Sequence, residues 1–239
     1  MMISNFLDDD EEGGLHFLKW FRAQRVGQKA PNTRFLLGGS VNIEPRLEQL
    51  QSEALLNDLE RFYLIPMDDE RTIAFVAAIL GGEEAIFEEG VPAEIARTIG
   101  TGVHFYLQVL ISECLADARR KGTTLNVIEI KPIYDTRVLG PAGRARFSHY
   151  HSRLKMHYGL HEEPARVVLA ELTANADRTI DQLHFALTQR GQSEIDIDRL
   201  VAMLEGDYYV SREADRVSFS SRFLRDWWLR NAPGPRRRS

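Results

Sequence analysis

The sequence predicts a mostly α-helical protein with a small α/β portion at its N-terminal end. Three observations carry this. Apolar residues recur at helical spacing through much of the stretch from Asp68 to Tyr158, and again from Val168 to Leu204. Only two short apolar runs before Pro66 read as strands, Phe35–Leu37 and Phe62–Ile65. Near the C-terminus two more strand-like runs, Tyr208–Val210 and Val217–Phe219, flank a charged loop, Ser-Arg-Glu-Ala-Asp-Arg.

In chain order, a helix is expected from Leu15 to about Val26, with Phe17, Leu18 and Phe21 inward and Gly27 ending it. The strand Phe35–Leu37 runs into two glycines and Ser40, and the strand Phe62–Ile65 stops at Pro66. Two strands cannot make a stable parallel sheet, so most of such a sheet is missing. Asp68 or Asp69 can cap a helix bearing Ile73, Val76, Ala77 and Leu80, which Gly81 and Gly82 end. Pro92 suits a first turn, Ile95 and Ile99 share a face, and Gly100 closes that helix. A long helix follows from about Val103 to Arg120, with a stripe of Leu107, Leu110, Ile111, Cys114 and Leu115. Another, Arg144 to Tyr158, buries Phe147, Tyr150, His151 and Leu154. Three short helices come next, marked by Val168 to Leu172, Ile180 to Leu187 and Ile197 to Leu204. With the final strand pair they read as a winged helix, and a closing helix runs from Ser221 to Asn231.

The composition suits this reading. The 239 residues are 44% hydrophobic and 27% charged, with a net charge of −5, so no global charge advertises nucleic acid or membrane. A single cysteine, Cys114, excludes a disulfide framework and fits a reducing cytosol. The longest apolar run, Ile73 to Leu80, falls far short of the ~20 residues that span a bilayer. The N-terminus turns acidic at Asp8–Glu12 where a signal peptide would be basic and then apolar, so a cytoplasmic protein is expected. The last 21 residues hold six arginines and one aspartate, and the tail from Ala232 should be disordered.

The order of parts resembles the C-terminal half of the AAA+/STAND P-loop ATPases of bacteria and archaea. FLLGGSVNIEPRL looks like the family's strand carrying the sensor-1 polar residue, with Ser40 at that position. LLNDLERFYLIPMDDE looks like the following strand and entry into the lid, and IGTGVHFYLQVL is similar to a lid segment that usually reads Gly-x-Pro-Tyr-Tyr-Leu-Gln. LEGDYYVSREADRVSFSSRFLRDWWLRN looks like the wing and final helix. The resemblance implies a remnant of the parallel ATPase sheet in residues 1–66, a helical lid in 67–160, a winged helix in 161–231 and a basic tail in 232–239.

The departures matter as much. There is no Gly-x-x-x-x-Gly-Lys-Ser/Thr loop, and no strand ending in Asp-Glu precedes Ser40, so the phosphate cradle and the Mg²⁺-binding acidic pair are absent. The resemblance places the start of the chain just after that acidic motif. His104 stands where the family tends to have proline. No cofactor is expected in the isolated chain, and ATP with Mg²⁺ in the complete family member. There Ser40 would hydrogen-bond the γ-phosphate or the attacking water; in the chain alone it reads as a turn serine after two glycines.

His149, His151, His157 and His161, with Glu162 and Glu163, invite a metal reading, but their spacing does not converge on one helix face and no metal is expected. The third helix of the winged unit, the one that would enter a major groove, carries Asp198 and Glu205 against Arg199, which a duplex repels. Basic residues lie instead on the wing and final helix. Arg212, Arg216, Arg222 and Arg225 are therefore the expected partner or nucleic-acid contacts, with Trp227 and Trp228, one of which should face a neighbouring domain or partner. Expected partners are the missing ATPase core or another protein, with weak nucleic-acid binding through the wing and Arg236–Arg238, and no membrane. The functional expectation is the lid and winged-helix portion of an ATP-binding switch protein, without ATPase activity of its own. The alternative is a stand-alone winged-helix regulator of DNA or protein.

Overall fold

The computed structural model describes residues 7, 10–26, 33–38, 47, 48, 50–60, 62 and 65–231. Helix dominates, with one small antiparallel sheet, and the chain divides into two compact units, Met1–Tyr63 and Leu64–Ser239. No helix among the described residues is long and apolar enough to cross a membrane.

The first unit is organised by helix α1, Glu11–Val26. Its Leu18 meets Leu7 and Leu47 in a small core, with Leu15, Leu50, Leu55 and Leu56 around it. Arg25, near the end of α1, grips Asp58 through Nε and Nη2, each at 2.8 Å, and also donates to the Leu55 carbonyl. This bidentate bond holds the Asp58 carboxyl below the usual carboxylate range.

The expected parallel strands are not found among the described residues. Residues 33–38 have no regular secondary structure, and Leu36 is 91% exposed. Of the expected strand Phe62–Ile65, Phe62 and Ile65 are outside any strand and exposed, and residues 63 and 64 lie outside the described residues. The physical reason is that a strand exists only as part of a ladder, and no described segment runs beside either run to pair with it. The only parallel pairing among the described residues is an isolated bridge, Phe87 with Leu125.

The second unit opens with helix α2, Asp69–Gly82, whose N-cap Asp68 accepts a hydrogen bond from the Arg71 amide at 2.8 Å. Helix α3, Val91–Ile99, starts with Pro92 in its first turn and ends at Gly100, where φ is 68°. Glycine is needed there twice over, because a Cβ would also lie 2.9 Å from Cβ of Arg222. Helix α4, His104–Lys121, is the central rod, burying Leu107, Leu110, Ile111 and Cys114. Helix α5, Val127–Ile133, was not expected, and Pro132 lies inside it. A π-helical turn, Tyr134–Val138, continues directly from α5, with the Leu139 amide bonded to the Tyr134 carbonyl. Proline removes one ladder donor, the one that would bond the Ile128 carbonyl.

The helix expected from Arg144 to Tyr158 is two helices. Helix α6, Pro141–Phe147, and helix α7, His149–His157, meet at Ser148, whose hydroxyl donates to the Ala145 carbonyl at 2.8 Å. That side-chain bond competes with the helix ladder at the junction.

Helix α8, Glu162–Ala174, leads into strand β1, Asp177–Thr179, helix α9, Ile180–Thr188, and helix α10, Ile197–Gly206. Strands β2, Val210–Glu213, and β3, Arg216–Phe219, form a hairpin, and helix α11, Arg222–Asn231, closes the chain. The sheet order is β1–β3–β2, with Arg178 opposite Val217 and Glu213 opposite Arg216. Strand β1 escapes the sequence reading because Asp-Arg-Thr has no apolar alternation; its pairing with β3 alone defines it. Thr179 then caps α9 through a reciprocal box with Gln182. One continuous hydrophobic core runs from Val76 to Trp228. The 160/161 boundary expected between lid and winged unit falls inside this second unit.

Candidate functional site

The sequence points first to α11, and the structure makes that helix the junction of the second unit. It packs on α3, α8 and β3. Its N-terminus is held by Ser221, whose hydroxyl accepts from the Leu224 amide at 3.1 Å. From there its inner face enters a column of aromatic rings. Phe223 meets Tyr106 of α4 at 4.4 Å and Phe147 of α6 at 4.7 Å between ring centroids. Trp227 meets His151 of α7 at 5.0 Å, and Trp228 meets the same histidine at 4.6 Å and Tyr209 at 6.0 Å. Such pairs add roughly 0.5–1.5 kcal/mol each beyond area burial.

Both tryptophans are thus buried within the chain, at 0% and 3% exposure; neither is exposed to a separate partner, and both rings lie against α7, in the segment 67–160 expected to form the neighbouring lid. Successive residues on a helix diverge by about 100°, so two adjacent rings need two walls. The bundle supplies one wall and the hairpin side supplies the other. The indole N–H of Trp227 finds no hydrogen-bond acceptor among the described residues.

Polar bonds continue the clamp. Tyr134 of the π-helical turn donates to Asp226 at 3.1 Å, and Arg230 reaches the carbonyl and carboxylate of Asp135, both at 2.8 Å. Arg144 donates to the Asn231 side chain at 2.9 Å. On the other side Arg225 donates to the Thr173 carbonyl of α8 at 3.4 Å. Behind the aromatic column the hydroxyls of Tyr106 and Tyr150 bond to one another, Tyr209 donates to the Tyr150 carbonyl at 2.5 Å, and Tyr158 donates to Asp207 at 3.0 Å. Burial pushes the Tyr106, Tyr158 and Tyr209 hydroxyls far above their ordinary range, so they stay neutral donors. Burial, with Arg166 adding to it, holds His151 below the usual histidine value.

The other candidate residues sit as follows. Ser40 and Arg236–Arg238 lie outside the described residues. Arg212 pairs with Asp198 of α10 at 2.7 Å and also donates to the Ala214 carbonyl, and Arg216 pairs with Asp177 of β1. Arg222 lies 3.9 Å from Asp226 with its stem against Gly100. These arginines therefore meet carboxylates or carbonyls of the same chain. His104 stacks edge-on against Phe75 at 4.8 Å. Burial pushes the Cys114 thiol up to about 12, so it is not a nucleophile. Among the described residues no three His, Cys, Asp or Glu side chains gather to hold a metal.

The sequence reading missed two features. Asp117, 3% exposed on α4, binds Arg120 at 2.6 Å, Lys121 at 2.7 Å and Arg137 at 2.9 Å, tying α4 to the π-helical turn. Those bonds, from Lys121 and then Arg120, hold its carboxyl below the usual range. An open depression of about 570 Å³ lies on α9 around Phe185, which is 64% exposed, with Glu171, Arg178 and Asp181 at its rim. Alternating charges at helical spacing were the only available signal for Asp117. No protein-family model matches this sequence, and no curated protein matches it.

Proposed function

We propose that the chain is the lid and winged-helix portion of an AAA+/STAND-like ATP-binding protein, a cytoplasmic switch module that responds to nucleotide state as one body. The observation that supports this is the helix–strand–helix–helix–strand–strand order of α8 to β3, with sheet order β1–β3–β2, fastened through α11 to the bundle α2–α7. A clamp of that kind lets a small shift at one end of a module carry the other end with it, because packed cores are bistable rather than freely deformable. On this reading α2–α7 form the lid, ATP and Mg²⁺ are bound by a phosphate loop and acidic pair outside this sequence, and Ser40 supplies the sensor-1 hydroxyl. The alternative, a stand-alone DNA-binding regulator, has less support. The outward residues of α10 include Asp198 and Glu205, and the hairpin's Arg212 is already bonded to Asp198.

A fluorescent ATP analogue titrated with Mg²⁺ tests the reading. The chain alone should show no saturable binding at micromolar concentration. Joined to the segment encoded upstream of Met1, it should bind, and Ser40→Ala in that longer protein should lower kcat more than it weakens binding. Saturable binding by the chain alone, competed by ATP, would overturn the proposal, as would an upstream segment with no Gly-Lys-Ser/Thr loop.

A further inference from the structure

The second unit carries a basic face that neither the wing nor the final helix explains. From Thr136 to His161 the sequence has five lysines and arginines, four histidines and no aspartate or glutamate, in a chain whose net charge is −5. The structure folds this stretch mainly into α6 and α7 and leaves Arg144, Arg146, His149, Ser152 and Lys155 exposed. His149, Ser152 and Lys155 recur every three residues along α7, spanning about 9 Å of its axis at 1.5 Å per residue while turning about 120° around it. Arg146 shares the single carboxylate of Glu113 with Arg137, at 3.5 and 3.8 Å, and among the described residues Arg144 bonds to the neutral Asn231 side chain rather than to a carboxylate. The opposite arrangement holds on the hairpin, where Arg212 and Arg216 each face their own aspartate.

We propose that the α6–α7 face is a docking surface for the sugar-phosphate backbone of nucleic acid. Charge complementarity selects the occupant. A duplex presents one negative charge per ~1.7 Å of axis, so a 9 Å length of helix faces on the order of five charges, and the exposed α6 arginines widen the footprint. Arginine, histidine and serine are donors suited to phosphate oxygens, and no base-reading element lies on this face, so binding is sequence-independent. The assignment stands whether or not the chain belongs to a nucleotide switch.

Fluorescence anisotropy of the full chain with a labelled 20-bp duplex across a salt series tests it. Arg146→Gln with Lys155→Gln should weaken binding about tenfold at low salt and flatten the log–log salt slope by about 1.8, at roughly 0.9 per lost contact. Ser152→Glu, which places an acid on the same face, should weaken binding with the thermal transition unchanged. Arg212→Gln with Arg216→Gln should leave the slope as it was. The proposal is overturned if only the hairpin pair or replacement of Arg236–Arg238 flattens the slope. It is equally overturned if no duplex binds at low salt while phosphatidylserine vesicles do.

Discussion

The two compact units divide their apolar residues very differently. In the second unit one core takes in most large side chains from Val76 to Trp228, two adjacent tryptophans among them, while Ile128, Leu160 and Phe185 stay exposed. In the first unit three leucines are fully covered, while Leu36 and Phe62 stand at 91% and 77% exposure. The difference teaches that local sequence signals mark helices in both regions, while the second unit's elements close on a far larger core than the described residues of the first. The second unit's elements carry complementary faces, whereas the first unit's apolar residues 35–37 and 62 have no ladder neighbour among the described residues.

The sharpest way to break this contrast is to remove one core side chain from each unit. Trp227→Ala should cost roughly 3–5 kcal/mol and lower the main urea midpoint, because the ring is fully buried between two walls. Leu18→Ala should leave that midpoint in place and loosen only the first unit. Trp20 of α1, half exposed, reports the first unit by its fluorescence when Trp227 and Trp228 are replaced by phenylalanine. A shift of the main transition by Leu18→Ala would mean that the two units unfold as one.

A smaller effect is expected at Asp117. Its carboxyl is held below the ordinary value of 3.8 in the folded protein, so the stability it contributes is fully present above that value and is lost as the pH falls through and below it. Asp117→Asn should cost about 2 kcal/mol at pH 7, by leaving Arg120, Lys121 and Arg137 short of an acceptor, and should flatten the acid limb of the stability curve. An unchanged acid limb would show that the cluster is only a surface network.

The smallest change is at the hairpin turn. Ala214 occupies the first position of the two-residue loop between β2 and β3 with φ of 56°, a region costly for any residue with a Cβ. Ala214→Gly should therefore raise stability by about 0.5–1 kcal/mol, read as a higher urea midpoint with an unchanged slope.

Helix ends were the most legible part of the sequence. Asp68, Pro92 and Gly100 act where capping chemistry places them, because each acts through its own backbone neighbours. Elements defined by remote partners were not legible. Strand β1 exists through β3, α5 continues past Pro132 into a π-helical turn, and the Arg144–Tyr158 helix breaks at a serine that bonds backward. The candidate site was half legible. Phe147 and Tyr150 were legible as inward-facing, but Tyr106 was not, and only the fold brings them with Phe223 into one column. The inward turn of both tryptophans needed knowledge of two walls, and the pairing of Arg212 and Arg216 with acids needed the register of the sheet.

Native-state hydrogen exchange on wild type and Phe223→Ala tests the central claim, that α11 makes the bundle and the hairpin side one body. The amides of Leu110 in α4 and Val217 in β3 should exchange through openings of equal free energy. Both should fall by the same 3–5 kcal/mol or so when the Phe223 ring is removed. If Val217 loses protection while Leu110 keeps its wild-type value, the two sides open independently and the account of a single clamped module is contradicted.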